Sequence, residues 1–186
     1  MSVREPASTR MTTQIPIIRP AASAQDIVEI RQLLREYEAW LGTDLCFQDF
    51  ENELAGLPGG YAPPSGRLLI ATAKNAAGNK TAGCVALRPF DQSVCEMKRL
   101  FVRADFRGTG LGRRLALAII DEARAAGYRK MRLDTLPQQR EAHQLYASLG
   151  FREIEPYRPN PIAGSLFLEL DVSKPDVDAP STSPRA

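Results

Sequence analysis

Three alternating glycines, Gly108, Gly110 and Gly112, stand among Arg107, Arg113 and Arg114 in the run Asp105-Phe106-Arg107-Gly108-Thr109-Gly110-Leu111-Gly112 and its continuation. Upstream, Met97, Leu100, Phe101 and Val102 give the bulky pattern of a strand. Downstream, Leu111, Leu115, Ala118, Ile119 and Ala123 recur at helical spacing as far as about Ala126, and Gly127 supplies a stop. The glycines therefore remove side chains where a helix begins. Backbone N–H groups at a helix start lack intrahelical partners, and the helix dipole adds partial positive charge. The chemistry written into this turn is capture of an anion, most naturally a phosphate.

The spacing narrows the ligand. G-x-G-x-G is not the dinucleotide fingerprint G-x-G-x-x-G, and the acidic residue that fingerprint needs about 20 residues on would fall in a helix. No Gly-Lys-Ser/Thr follows, which excludes a nucleotide-triphosphate loop. What remains is Arg107-x-x-Gly110-x-Gly112 at a strand-to-helix junction. A second landmark lies downstream, where Ala142, Leu145, Tyr146, Gly150 and Phe151 fall into the pattern A-x-x-L-Y-x-x-x-G-F.

These two segments, in this order and separated by one helix and one strand, resemble the signature of the GNAT superfamily of N-acetyltransferases. The resemblance spans roughly residues 15 to 172. It implies a turn that holds the pyrophosphate of acetyl-CoA on the backbone of Arg107, Gly108, Thr109, Gly110, Leu111, Gly112 and Arg113. It also implies pantetheine lying along the strand at Leu100, Phe101 and Val102, with an amide near Phe101 or Val102 polarising the thioester carbonyl. Tyr146 matches the tyrosine that faces the coenzyme sulfur in many members. A phenol of pKa about 10 can return a proton to a departing thiolate. Gln139 stands where many members carry an asparagine that contacts the coenzyme. Glu96 precedes Arg107 by the spacing of the glutamate in the founding histone acetyltransferases. It is the candidate base, acting through water on the acceptor amine.

Other residues carry competing readings. Asp134 ends the strand beside the cofactor and is a second candidate base, with a turn carboxylate as the plainer alternative. His143, the single histidine, fits a solvated helix face. Tyr61, Tyr157, Arg158 and Asn160 lie in two proline-containing loops that, with the first two helices, should form the acceptor site. Trp40 reads as core, and Arg99 and Arg103 as solvated charges.

The surrounding chain supports one α/β domain. Its 186 residues, 44% hydrophobic and 25% charged, suit a globular fold with a real core. A net charge of +2 does not point to nucleic acid. Three cysteines without C-x-x-C spacing and one histidine argue against disulfides and a metal site. No apolar run approaches the ~18 residues of a membrane span, and no signal-peptide block is seen, so a cytoplasmic protein is expected.

The predicted order is a strand over 14–19, helices over 24–41 and 47–57, and a loop over 58–66. Strands follow over 67–74, 80–88 and 96–102, then the helix from the glycine turn, a strand over 130–135 and a helix over 137–149. Strands over 151–153 and 165–172 close the domain. This describes a mixed, mostly antiparallel sheet of about seven strands flanked by about four helices, and it matches the superfamily's order of elements. Residues 1–13 read as a flexible tail, with Met11 a possible start, and 173–186 as a disordered one. An exposed edge on the last strand suggests a homodimer. The expected activity is transfer of acetyl from acetyl-CoA, without metal, to a primary amine of a small molecule. A protein or peptide amine, or a coenzyme-binding module without turnover, are the alternatives.

Overall fold

The computed structural model describes residues 15–42, 49–75 and 78–173. The expected tails over 1–13 and beyond 173, the Met11 start, Cys46 and the first residues of the expected second helix lie outside them. Among the described residues there are seven strands: β1 (Ile17–Pro20), β2 (Arg67–Asn75), β3 (Gly78–Pro89), β4 (Val94–Val102), β5 (Lys130–Thr135), β6 (Arg152–Ile154) and β7 (Leu166–Asp171). Four α-helices accompany them: α1 (Ala24–Leu41), α2 (Phe50–Ala55), α3 (Leu111–Ala125) and α4 (Arg140–Ser148). The strands form one sheet in the order β1-β2-β3-β4-β5-β7-β6. Every neighbouring pair is antiparallel except β4 with β5. A parallel pair needs a crossover, and α3 supplies it.

Ser23 caps α1 in a reciprocal box with Asp26: the Asp26 amide donates to Ser23 Oγ at 3.1 Å, and the Ser23 amide donates to Asp26 Oδ2 at 3.1 Å. Two apolar layers then form on opposite faces of the sheet. Leu111, Leu115, Ile119 and Ala123 of α3 pack on Leu69, Ala71, Val85 and Met97. Ile30, Leu33 and Leu34 of α1, with Phe50 and Leu54 of α2, pack on Leu68, Ile70, Cys84 and Phe101. Successive β2 residues serve opposite layers, as the period of two requires.

Two irregularities in β4 create the site. The first is a bulge. Cys84 pairs with Phe101 but Ala86 pairs with Lys98, so β4 spends one more residue than β3. Arg99 absorbs the extra residue at φ 59. The strand's phase therefore reverses: Met97 packs toward α3, whereas Phe101, four residues on, packs toward α1. Opposite the bulge, a Cβ on Gly83 would sit 2.5 Å from the Phe101 carbonyl oxygen, so glycine is the residue that fits.

The second irregularity is a parting of strands. β4 and β5 pair only from Val94↔Lys130 to Glu96↔Arg132, while β5 continues against β7 as far as Thr135↔Leu166. Beyond Glu96, β4 has no strand on that side, and a wedge opens.

Several expectations are corrected. The last strand, β7, lies inside the sheet between β5 and β6, and the edges are β1 and the three-residue β6. α2 begins at Phe50 and α4 at Arg140, later than the apolar pattern suggests. Before α4, Gln139 Oε1 accepts from the Leu136 amide and from Thr135 Oγ1, each at 3.0 Å, which holds residues 136–139 as a turn.

Candidate active site

The wedge is a cleft of about 780 Å³, a size suited to an extended organic ligand. One wall is β4 from Met97 to Val102 and the other is the end of β5 with the start of α4. The glycine turn closes one end, and α1 contributes Tyr37, Trp40 and Leu41.

At the turn, a 3₁₀ segment (Ala104–Phe106) leads into Gly108 at φ 73 and Gly110 at φ 81. Both are left-handed conformations that side-chain-bearing residues resist. Thr109 Oγ1 donates to the Phe106 carbonyl at 2.7 Å and fixes the bend. Among the described residues, the amides from Gly108 to Arg113 donate to no protein acceptor. A Cβ added at Gly108 or Gly110 would meet nothing within 4 Å, and at Gly112 only Leu145 and Val102 at 3.9 Å. The result is an open cradle of unengaged donors at the start of a 15-residue helix, a fitting seat for a diphosphate.

Tyr146 lies across the cleft on α4. It is 8% exposed, and its ring packs edge-on against Phe151 at 5.5 Å. Its hydroxyl makes no hydrogen bond among the described residues, yet no buried side-chain polar atom there lacks a partner. The hydroxyl is thus the part of Tyr146 that reaches the cleft. Burial, with Tyr37 and Asp134 nearby, pushes its pKa above that of a free phenol. It stays protonated, as a proton donor must.

Of the residues expected to bind the coenzyme, Leu100, Phe101, Val102, Arg107, Gly108, Gly110, Leu111, Gly112, Gln139 and Tyr146 all line this cleft. Thr109 and Arg113 do not; Arg113 Nη1 donates to Ser148 Oγ at 2.8 Å. Glu96 is not brought to the cleft wall. It is 1% exposed and sits where β4 and β5 part. Arg88 holds its Oε2 at 2.8 Å, while Arg158 at 3.0 Å and the Tyr157 hydroxyl at 2.8 Å hold Oε1.

Arg158 also donates to Asp134, whose other oxygen accepts from Asn160 Nδ2 at 3.0 Å. Lys98 Nζ approaches Asp134 Oδ1 at 3.4 Å. Burial would raise the Asp134 pKa, but Lys98 and Arg158 outweigh it and hold the carboxyl below its ordinary range. Burial pulls Lys98 down to about 8, against the opposing pull of Asp134 and Glu96. Tyr61, Tyr157, Arg158 and Asn160 therefore act beneath the cleft floor rather than along its walls. His143 Nε2 is 2.9 Å from the Leu136 carbonyl oxygen and is occupied with the turn before α4.

Three side chains contradict their sequence reading. Arg99 is not solvated: its side chain is 3% exposed and forks onto Glu53 of α2 at 2.8 and 2.6 Å. Arg103 forks onto Glu36 of α1 at 2.8 and 2.7 Å. Trp40 is not core: half its surface is exposed, beside the cleft mouth. Sequence reasoning also passed over Lys98. Its signal was there, a run of three ionisable residues among Glu96, Lys98 and Arg99 inside an otherwise apolar central strand.

An open sheet with one parted parallel pair, and a bare helix start facing the gap, define a coenzyme-binding transferase architecture. The model of the acetyltransferase (GNAT) family matches residues 27–151, and the chain belongs to that family. An N-acetyltransferase of Schizosaccharomyces pombe is 41% identical over 151 residues, covering 81% of this chain and 91% of that one. The IAA acetyltransferase of Azospirillum brasilense is 37% identical over 142 residues, 74% of this chain and 87% of that one. Among solved structures, a GNAT family acetyltransferase from Elizabethkingia anophelis with acetyl-CoA bound has TM-score 0.59 at 22% identity, covering 85% and 99% of the two chains. The last likeness is one of fold. The protein is an acyl-CoA-dependent N-acyltransferase by family.

Proposed function

We propose that this protein moves the acetyl group of acetyl-CoA to the primary amine of a small molecule, by direct attack through a tetrahedral intermediate. The observation that carries the reading is one cleft lined both by Gly108, Gly110, Leu111 and Gly112, whose amides are unengaged among the described residues, and by Tyr146. Acetyl-CoA supplies an activated acyl group on a good thiolate leaving group. The protein's residues supply the rest.

The cradle binds the diphosphate through backbone donors, with Arg107 adding fixed charge. The unpaired edge of β4 beyond Glu96 offers amides to the pantetheine and, near Phe101 or Val102, to the carbonyl oxygen as it gains charge. Tyr146 donates its proton to the departing sulfur. Glu96 is the proton acceptor of this reading, through water. Because both its oxygens already carry donors, its part is tested separately. A base in Glu96→Gln loses rate most steeply at low pH, where the amine arrives protonated. A carboxylate that only holds Arg158 and Tyr157 costs stability at every pH.

A cleft with a floor closed by Lys98, Arg99 and Asp134 suits a small acceptor better than a peptide chain. The experiment is calorimetric titration with acetyl-CoA followed by thiol release over a panel of amines. Binding with amine-dependent release is expected. Binding without release from any amine would leave a coenzyme-binding module, and no binding ends the reading.

A further inference from the structure

We infer that Tyr37 is a second catalytic hydroxyl of this site, donating a hydrogen bond to the acetyl carbonyl oxygen as that oxygen takes on charge. The inference rests on the transferase reading above. It adds a residue that acts on the oxygen, where Tyr146 acts on the sulfur.

By pattern Tyr37 belongs to the core, since it follows Ile30, Leu33 and Leu34 at helical spacing on α1. Those three are buried, whereas Tyr37 is half-buried and lines the cleft. Its ring centroid lies 5.7 Å from that of Phe101 and 6.3 Å from that of Trp40. The ring is thus held against β4, at the residue where a backbone amide is expected to meet the thioester carbonyl. The hydroxyl extends toward the opposite wall, where Gln139 is its side-chain partner and where its field is felt by the Tyr146 hydroxyl. Phe101, Gln139 and Tyr146 are the residues between which the reading above lays the thioester. Tyr37 touches that same space from α1.

Gln139 decides where the Tyr37 proton goes. The Leu136 amide can only donate, and it donates to Gln139 Oε1 at 3.0 Å; Thr135 Oγ1 reaches the same oxygen at 3.0 Å. What Gln139 has left for Tyr37 is its Nε2 amino group, which is a donor only. The phenol oxygen therefore accepts from Gln139, and its own proton is left for another acceptor. Among the described residues no protein group takes that proton. Asp134 acts on Tyr37, but Arg158 and Lys98 already occupy its Oδ1 and Asn160 its Oδ2. Burial raises the Tyr37 pKa above that of a free phenol, so the proton stays on the oxygen. A hydroxyl with its oxygen anchored and its proton unspent is a preorganised donor for a developing oxyanion. The attacking amine commits its one lone pair to the new bond, and Tyr146 serves the sulfur, which leaves the carbonyl oxygen as the acceptor. No proton is transferred from Tyr37; the hydrogen bond relaxes as the intermediate collapses and the charge passes to the departing sulfur.

The test uses the full chain and Tyr37→Phe, which keeps the ring beside Phe101 and Trp40. The turnover number should fall by about 10²-fold or more, with KM for acetyl-CoA, KM for the amine and the melting temperature all in place. Infrared difference spectra read the contact itself, with acetyl-CoA isotope-labelled at its carbonyl carbon and bound without acceptor. The carbonyl band on the wild type should lie at lower frequency than on Tyr37→Phe. A hydroxyl that works only by placing Tyr146 has nothing to add in a Tyr146→Phe background, whereas a donor to the oxygen should slow that background further. Full turnover in Tyr37→Phe overturns this inference. So does a loss confined to KM for the amine, an identical carbonyl band in both proteins, or no further slowing in the Tyr146→Phe background. All of these leave the transferase reading standing. Failure of the wild type to bind acetyl-CoA overturns that reading and takes this inference with it.

Discussion

The guanidinium of Arg107 lies 4.4 Å from the ring centroid of Trp40 and donates its Nε to the Val102 carbonyl at 3.0 Å. One side chain thus ties the end of α1, the end of β4 and the glycine turn together across the cleft mouth. Trp40 is the single tryptophan of the chain, and it is half-exposed. Selectively excited tryptophan fluorescence therefore reports on the cleft mouth. Titration with acetyl-CoA is expected to shift the emission, since a ligand running along Val102 competes for the carbonyl that holds Arg107. An unchanged spectrum at saturating ligand would place the coenzyme elsewhere.

The cradle glycines separate folding from binding. Gly110→Ala forces a side chain into the left-handed region and should cost about 1–2 kcal/mol of stability. Gly112 lies inside α3 with room for a Cβ. Gly112→Ala should therefore keep or gain stability, by about 0.5–1 kcal/mol, while its methyl intrudes on the coenzyme path. Thermal melts and acetyl-CoA titrations of both variants check this. The expected pattern is a lower melting temperature for the first and weaker binding without lower stability for the second.

Tyr146→Phe removes a hydroxyl that has no hydrogen-bond partner among the described residues. The unfolding free energy should move by less than about 0.5 kcal/mol, and KM for acetyl-CoA should hold. The turnover number should fall by about 10²-fold or more if the hydroxyl is the general acid. Because burial raises its pKa, the wild-type rate should show no descending limb from Tyr146 near pH 9. A variant that keeps full turnover, or loses stability instead, removes Tyr146 from the chemistry.

Local chemistry was legible in the sequence, and long-range pairing was not. The turn from Arg107 to Gly112 and helix α3 follow from glycine spacing and a 3.6-residue stripe, both contained in one short window. The same is true of the Ser23 cap and of β5. The bulge at Arg99 has no such mark, because it exists only in the pairing with β3, and the carboxylate that Arg99 meets, Glu53, lies 46 residues away. Arg103 finds Glu36 at a separation of 67. Both arginines looked solvated because their partners sit on helices whose placement the strand cannot encode. Trp40 failed for a related reason. It shares α1 with the buried Leu33 and Leu34, but the C-terminal end of α1 lines the cleft, and there Trp40 lies between Arg107 and Phe101 with half its surface exposed.

Lys98 gives the fold a signature above neutrality. Burial sets its folded pKa at about 8, below the unfolded value of about 10.4. Between those two values the unfolded chain holds a proton that the folded chain has released, so stability rises with pH across that window. Among the described residues, the charged groups that act on Lys98 include Asp134, Glu96, Arg158 and Arg99. Urea unfolding at about pH 7.5 and about pH 10 should therefore show the wild type gaining stability relative to Lys98→Met.

The ion pair beneath the bulge sets how firmly the cleft is built. Arg99 is buried, its guanidinium lies 5.0 Å from the Phe50 ring centroid, and Glu53 is its carboxylate partner. Burial works against both charges, yet Glu53 raises the Arg99 pKa, and Arg99 holds Glu53 below its ordinary range. Removing one partner leaves the other desolvated and uncompensated. Glu53→Gln should therefore cost about 3–5 kcal/mol in urea unfolding. Arg99→Met with Glu53→Gln removes both charges, and should recover much of that loss if the pair's burden is desolvation. The double variant also tests the site. Arg99 takes the positive φ that reverses the phase of β4, and that reversal places the backbone from Leu100 to Val102 against the cleft. If the backbone pairing with β3 alone maintains the bulge, the double variant binds acetyl-CoA as the wild type does. If the Glu53 tether maintains it, binding falls even where stability is restored, and titration of the double variant with acetyl-CoA decides between the two.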